Sequence, residues 1–131
     1  MPKSVKTFLM FDGAAEEAVR LYVSVFRDAK LLSLSRWTEG EPGAPGTVKA
    51  AELTIAGHRL VAVDSPVKHR FTFTPAISFF VECDSEEELT RVYEKLLEGG
   101  TALMALGDYG FSKRFGWVSD RFGVSWQLNL P

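Results

Sequence analysis

Two segments of the chain repeat the same order of hydrophobic patterns. In the first, the alternating segment TFLMF is followed by DGAAEEAVRLYVSVF, whose apolar residues recur at helical spacing. In the second, AISFFVEC is followed by DSEEELTRVYEKLLEGG, which has a matching apolar stripe and ends at two glycines. Phe11 and Val81 lie 70 positions apart, as do Phe26 and Leu96, with no gap between them. The pattern therefore predicts a strand and an amphipathic helix, twice.

Three further strand candidates follow each predicted helix. They are KLLSLSRW, TVKAAELTI and RLVAVD in the first half, and TALMAL, FGWVSD and VSWQLNL in the second. Gly57 and Gly123 occupy corresponding hairpin turns. Each half is thus an α+β unit of the order βαβββ, in which a sheet buries one face against its own helix. We place the two units at residues 1–65 and 76–131 of a single domain, with the connector at 66–75.

The last predicted strand separates apolar from polar side chains. Because side chains alternate across a strand, one face is apolar and the other carries Ser125, Gln127 and Asn129. The polar face either meets water, as in many half-buried antiparallel strands, or lines a binding site.

Composition narrows the classes of function. The 131 residues are 46% hydrophobic, enough for the core of one domain. Lys and Arg total 15 against 17 Asp and Glu, spread along the chain, so no basic stripe predicts a nucleic-acid partner. No apolar run reaches the length of a membrane span or a signal peptide, so we expect a cytoplasmic protein without a membrane partner. Cys83 is the only cysteine, which predicts a small buried side chain and excludes an intrachain disulfide.

Four features together resemble the vicinal oxygen chelate superfamily of glyoxalase I, fosfomycin and bleomycin resistance proteins and extradiol dioxygenases. They are the paired βαβββ units, the FLMFDG opening before an acidic helix, the GHRLVAVD hairpin and the DRFGVSWQL ending. The chain is most similar to the PhnB-like branch, often labelled 3-demethylubiquinone-9 3-methyltransferase-like. The resemblance extends from Val5 to Leu130. It implies the glyoxalase/bleomycin resistance fold, with curved sheets that form a cup, and a homodimer.

The resemblance also implies where a divalent metal would lie in that cup. It places Lys6, Val61, Ala76 and Gln127 at the ligand positions, and an alignment shifted by one residue brings in Thr7, Phe8, Ile77 or Ser78. Glu52 shares a strand face with Ala50, where close relatives with the motif HAEL have a histidine. One carboxylate and one amide fall short of the three protein ligands typical of a catalytic metal. We therefore predict no metal site and no cofactor.

An aromatic segment, GDYGFSKRFGW, supplies further candidate residues. Aromatic side chains around Lys113 and Arg114 suit a planar or anionic organic ligand. Alternatively, the rings pack into the core or a subunit interface while the cations face solvent. The predicted ligand-binding residues are Trp37, Glu52, Phe80, Tyr109, Phe111, Trp117 and Gln127, and no catalytic residue is identified.

Three functions compete on these grounds. The leading hypothesis is a metal-free protein that binds a small organic molecule, or an enzyme of undetermined reaction. The second is a metal-dependent lyase, isomerase or dioxygenase of the glyoxalase type, and the third is a structural or interaction module. Methyl transfer is not expected, because a methyl-donor cofactor usually needs a glycine-rich turn between a parallel strand and a helix. The chain has no such segment.

Overall fold

The chain folds as two successive βαβββ units, which the computed structural model describes over all 131 residues. The first unit, Met1–Arg70, contains β1 (Thr7–Phe11), α1 (Ala15–Val25), β2 (Lys30–Arg36), β3 (Val48–Ile55) and β4 (His58–Asp64). The second unit, Phe71–Pro131, contains β5 (Phe79–Glu82), α2 (Glu86–Leu97), β6 (Thr101–Gly107), β7 (Arg114–Ser119) and β8 (Ser125–Leu130). The predicted order of elements is confirmed in both halves of the chain.

Each unit forms one four-stranded mixed sheet. The strand order is β1-β4-β3-β2 in the first sheet and β5-β8-β7-β6 in the second, so the first and last strands of a unit are neighbours. These two strands run parallel, and the other pairs are antiparallel. The hairpin between β3 and β4 turns at Ala56 and Gly57, both with positive φ, as a two-residue hairpin turn requires. The predicted turn at Gly57 is therefore confirmed.

Helix α1 covers one face of the first sheet. Its buried side chains recur at helical spacing and pack against β2, β3 and β4; they are Ala15, Ala18, Val19, Tyr22 and Val25. Leu53 and Leu60 are fully buried on the same side of the sheet. Removal of this apolar surface from water is the main stabilising contribution to the unit.

The N-termini of the two helices are capped in different ways. At α2, the Ser85 hydroxyl accepts a hydrogen bond from the Glu88 amide at 3.2 Å, which is a local cap. At α1, the N-cap residue Ala14 has no side-chain acceptor. The Asp64 carboxylate at the end of β4 accepts there instead, from the amides of Gly13 at 2.8 Å and Ala15 at 3.0 Å. The start of α1 is thus held by the last strand of its unit.

Helix α2 packs on the second sheet over a glycine. A Cβ atom at Gly116 in β7 would lie 2.7 Å from ring atoms of Tyr93 in α2 and 2.8 Å from Leu106. The bare backbone therefore makes room for the Tyr93 ring. Trp126 and Leu128 are 1% and 0% exposed, which confirms that the apolar side of β8 faces the core.

Cys83 is 4% exposed, as predicted for a small buried side chain. Burial raises the pKa of its thiol to about 11. Neither of the two helices has the length and apolar character that crossing a membrane demands.

Candidate functional site

In the second unit, α2 covers one face of the sheet and leaves the other open. Because side chains alternate, burial of Trp126 and Leu128 turns Gln127 to the open side. Gln127 has direct cross-strand neighbours there, Phe80 on β5 and Trp117 on β7. We call the surface that carries Phe80, Trp117 and Gln127 the second open face. Three of the predicted ligand-binding residues are thus brought side by side.

Tyr109 and Phe111 join this group through a cluster of rings. The Phe80 and Phe111 ring centroids lie 6.5 Å and 5.0 Å from that of Phe115, and Tyr109 meets Phe115 edge-on at 6.1 Å. Phe115 is 4% exposed, whereas Phe80, Tyr109 and Phe111 are 56%, 42% and 62% exposed. Phe115 therefore packs into the core, and the other three rings are exposed on the surface of the chain.

A hydrogen-bond network orients the polar side chains of the second open face. The Trp117 indole N–H donates to the Ser125 hydroxyl at 2.8 Å, and the hydroxyls of Ser125 and Ser78 are 2.6 Å apart. The Gln127 amide nitrogen donates to the Ser78 hydroxyl at 3.3 Å. The network therefore engages the nitrogen end of the Gln127 amide.

Asn129 continues the polar row of β8, opposite Phe115 on β7. Its side chain is 8% exposed, and its Oδ1 atom is buried without a hydrogen-bond partner. Such an acceptor costs about 1–3 kcal/mol unless it is paired. Asn129 belongs to the polar row of this face, but its enclosed oxygen is not open to a ligand. It was absent from the predicted binding residues, although its alternation with Gln127 indicated the shared face.

The two cations of the aromatic segment are not brought together. Arg114 alternates with Phe115 and lies on the α2 side of the sheet, where its Nε atom is 3.7 Å from the Glu86 carboxylate. Lys113 is exposed in the preceding loop. Arg114 therefore lies away from the aromatic rings of the second open face, because strand alternation turns its side chain to the opposite face.

In the first unit, Glu52 lies on the sheet face that α1 leaves uncovered. Its cross-strand neighbour on β4 is Val61, which in turn pairs with Phe8 on β1. The Lys6 ammonium is 2.7 Å from Glu52 Oε1, and the Arg59 guanidinium is 3.3 Å from the same oxygen. We call the surface of Lys6, Phe8, Glu52, Arg59 and Val61 the first open face. The hydrogen bond from Lys6 is the main reason that the pKa of Glu52 lies below its ordinary value of 4.5.

Trp37 takes part in a different set of contacts. Its indole N–H donates to the backbone carbonyl of Asp64 at 3.0 Å, and a Cβ atom at Gly43 would lie only 2.2 Å from its ring. The Lys49 ammonium lies 5.5 Å from the ring centroid. These contacts hold the loop between β2 and β3 against the end of β4. Trp37 is thus not brought into the charged group around Glu52.

The donor set at the positions implied for a metal does not fit a divalent ion. The Lys6 ammonium is a cation that binds Glu52, and Val61 and Ala76 have no donor atom. The Gln127 amide nitrogen is engaged with Ser78. No group of three or more His, Cys, Asp or Glu side chains is placed to hold a metal ion.

The chain matches the sequence model of the 3-demethylubiquinone-9 3-methyltransferase family over residues 3–129. The PhnB protein of Bacillus cereus is 50% identical, with a TM-score of 0.95, and the alignment covers 98% of this chain and 100% of that chain. A Pseudomonas aeruginosa protein is 26% identical, with a TM-score of 0.84 and 98% of both chains covered. No curated protein matches the chain.

More distant structures agree in fold. The fosfomycin resistance protein FosX of Listeria monocytogenes, in a complex with Mn(II), is 11% identical, with a TM-score of 0.67. That alignment covers 98% of this chain and 93% of FosX. At this identity the likeness concerns the fold alone. The chain therefore belongs to the PhnB-like 3-demethylubiquinone-9 3-methyltransferase family and has the glyoxalase/bleomycin resistance fold.

Proposed function

We propose that this protein binds a small organic molecule with a flat ring on the second open face. The observation that carries the proposal is the direct cross-strand alignment of Phe80, Gln127 and Trp117 beside exposed aromatic rings. Small-molecule sites combine apolar and aromatic walls with a few placed polar groups. A ring that packs on an aromatic side chain gains about 0.5–1.5 kcal/mol beyond the area that it buries.

The polar groups of this face favour a ring that bears a donor. The network around Ser78 engages the nitrogen rather than the oxygen of the Gln127 amide. The half-buried Gln127 side chain therefore offers an acceptor oxygen to an N–H or O–H group on the ligand. A matched ligand without that donor would lose one hydrogen bond to Gln127, worth about 0.5–1.5 kcal/mol.

The family description names methyl transfer, but the residues here favour binding or another reaction. The turn between β1 and α1 contains a single glycine, Gly13, and its amide is already bound by Asp64 at 2.8 Å. That amide is therefore not free for a cofactor, whereas glycine-rich cofactor turns present free backbone amides.

Indole and 1-methylindole test the proposal, because they differ in one N–H donor. In a titration followed by amide NMR, we expect indole to shift Phe80, Trp117 and Gln127, and 1-methylindole to bind more weakly. Phe80→Ala should weaken indole binding by about 3- to 10-fold, since it removes a stacking surface. Gln127→Ala should also weaken binding, while the free energy of unfolding changes by at most about 1.5 kcal/mol.

Val67→Ala is the matched control, because Val67 is an exposed apolar side chain outside the sheets. It should leave indole binding unchanged. Equal binding by the Phe80→Ala variant would refute the proposal. Elemental analysis of protein purified without chelator tests the alternative of a metal-dependent lyase, isomerase or dioxygenase. Near-equimolar zinc, manganese, nickel or iron, lost on Gln127→Ala, would favour that enzyme instead.

We also propose that the protein is a homodimer. The outer strands β2 and β6 are unpaired on one side, and their apolar side chains Leu31, Leu32 and Leu103 are exposed. Edge strands of this kind are usually covered. Light scattering at micromolar concentration should give twice the mass of the chain. A monomer under those conditions would contradict this proposal.

A further inference from the structure

The first open face contains two cations that share one carboxylate. Lys6 and Arg59 converge on the same oxygen of Glu52, at 2.7 Å and 3.3 Å. No other carboxylate forms an ion pair with either cation. An ammonium has three donors and a guanidinium has five, so most of their donors remain unused after these two contacts. The group therefore has a net positive charge and spare hydrogen-bonding capacity.

The three side chains are held in place by the sheet. Glu52 lies on β3, Arg59 lies on β4 opposite Thr54, and Lys6 immediately precedes β1, whose Thr7 pairs with Leu60. Arg59 and Lys6 are thus on adjacent strands at the same level. Their side chains are 52% and 34% exposed, so both remain accessible to a dissolved ion.

An apolar surface adjoins this charged group. Val61 is the cross-strand neighbour of Glu52, and Phe8 pairs with Val61 in the next strand. Phe8 is 59% exposed, whereas its chain neighbour Leu9 is 6% exposed. Phenylalanine is a residue type that is usually buried. An aromatic ring on the same sheet face as a cationic group fits a molecule with an apolar body and an anionic end.

We propose that the first open face binds an organic anion, with its charged oxygens between Lys6 and Arg59 and its apolar part on Phe8 and Val61. Charge-assisted hydrogen bonds from the ammonium and the guanidinium supply the recognition. In this arrangement Glu52 does not contact the ligand favourably: it positions the two cations and competes with the anion for them. This proposal concerns the sheet of the first unit, whereas the second open face belongs to the sheet of the second unit. The two proposals are therefore tested separately.

The proposed role of Glu52 predicts the direction in which its substitution changes the affinity for an anion. If Glu52 were a ligand-binding or metal-binding residue, Glu52→Gln would weaken binding. If it competes with the anion, the same substitution removes the competing charge and leaves both cations for the ligand. We therefore expect Glu52→Gln to tighten anion binding, and Lys6→Gln to weaken it.

Benzoate, benzamide and inorganic phosphate serve as probes with the full-length protein. In amide NMR titrations at low salt, benzoate should shift Phe8, Glu52 and Val61, and neutral benzamide should bind at least about fivefold more weakly. Lys6→Gln should weaken benzoate by about fivefold, Lys6→Arg should retain most of the binding, and Glu52→Gln should tighten it by about two- to fivefold. Raising the salt concentration should weaken benzoate in every variant, because exposed charges are screened.

Two controls separate the charge from the apolar surface. Lys3→Gln removes an exposed lysine outside the sheets and should leave benzoate binding unchanged. Phe8→Ala should weaken benzoate but not phosphate, because phosphate has no apolar part; equal loss for both probes would contradict a role for Phe8. Arg59→Gln repeats the Lys6 test if that variant does not fold.

Two outcomes would overturn the proposal. One is benzoate binding that is absent, or unchanged by Lys6→Gln and Arg59→Gln. The other is weaker benzoate binding to Glu52→Gln. Neither outcome would contradict ligand binding on the second open face, because that proposal is tested by indole-induced shifts at Phe80, Trp117 and Gln127.

Discussion

Asp64→Ala is expected to lower the free energy of unfolding by about 3–5 kcal/mol. The Asp64 carboxylate is 2% exposed and accepts three backbone hydrogen bonds, from Gly13 at 2.8 Å, Ala15 at 3.0 Å and Val48 at 2.8 Å. Removing it leaves three donors without their acceptor, and those of Ala15 and Val48 belong to buried residues. It also uncouples the start of α1 from β3 and β4, because no other side chain caps that helix.

Chemical denaturation followed by circular dichroism measures this loss. Asp64→Asn should cost less than Asp64→Ala, since its amide oxygen can still accept from Gly13 and Ala15 while its NH₂ group faces the Val48 amide. Asp28→Ala is the matched control on an exposed turn and should change the free energy of unfolding by at most about 0.5 kcal/mol. A loss below about 1 kcal/mol for Asp64→Ala would show that these hydrogen bonds are dispensable.

Gly116→Ala is expected to destabilise the second unit by about 1–3 kcal/mol. The added methyl group would lie 2.7 Å from the ring of Tyr93, which is 6% exposed. The helix α2 or its tyrosine must therefore shift away from the sheet. Gly107→Ala is the control, because a Cβ there meets its nearest neighbour, Tyr109, at an ordinary 3.6 Å.

Thermal unfolding compares the two glycine variants directly. The midpoint should fall for Gly116→Ala and stay close to that of the natural sequence for Gly107→Ala. Both glycines lie in strands and have no positive φ, so backbone conformation does not separate them. Equal midpoints would mean that the close approach of Tyr93 does not limit packing.

The elements of the fold were predictable because their signals are local. Helical spacing of apolar residues marked α1 and α2, and the turn at Gly57 marked the hairpin of β3 and β4. Alternation in β8 assigned Trp126 to the core and Gln127 to the opposite face. These patterns are set by neighbours within a few residues, so one sequence suffices to read them.

The register of the parallel strands was not predictable from the repeat. The 70-residue separation of Phe11 and Val81 makes Ser78 the counterpart of Phe8. Val61 and Gln127 are also counterparts, since each lies four residues after its turn glycine. Phe8 pairs with Val61, but the residue that pairs with Gln127 is Phe80 rather than Ser78. Because side chains alternate with a period of two, a register difference of two residues leaves every side chain on the same face of the sheet. The pairing depends on contacts between distant strands, for which a single sequence has no direct signal.

The candidate site was predictable only in part for the same reason. Alternation assigned Gln127 to its face, whereas Phe80 and Trp117 were candidates without a predicted face, and cross-strand pairing brings them beside Gln127. The ion pair of Lys6 and Glu52 joins residues far apart in the sequence, and nothing local indicates it. The Arg114 side chain points toward Glu86 because β7 begins at Arg114. The hydrophobic pattern of a sequence locates the first residue of a strand poorly.

The parallel pairing of the first and last strands governs when each sheet can be completed. Strand β1 finds its only partner in β4, and β5 finds its only partner in β8. Such non-local pairing bears a large loop-closure entropy and slows folding. During synthesis, β1 leaves the ribosome well before β4, and its backbone N–H and C=O groups stay unpaired until that strand arrives. In that interval the unpaired edge of β1 is open to the β4 strand of a neighbouring copy, so this topology exposes the nascent chain to strand exchange.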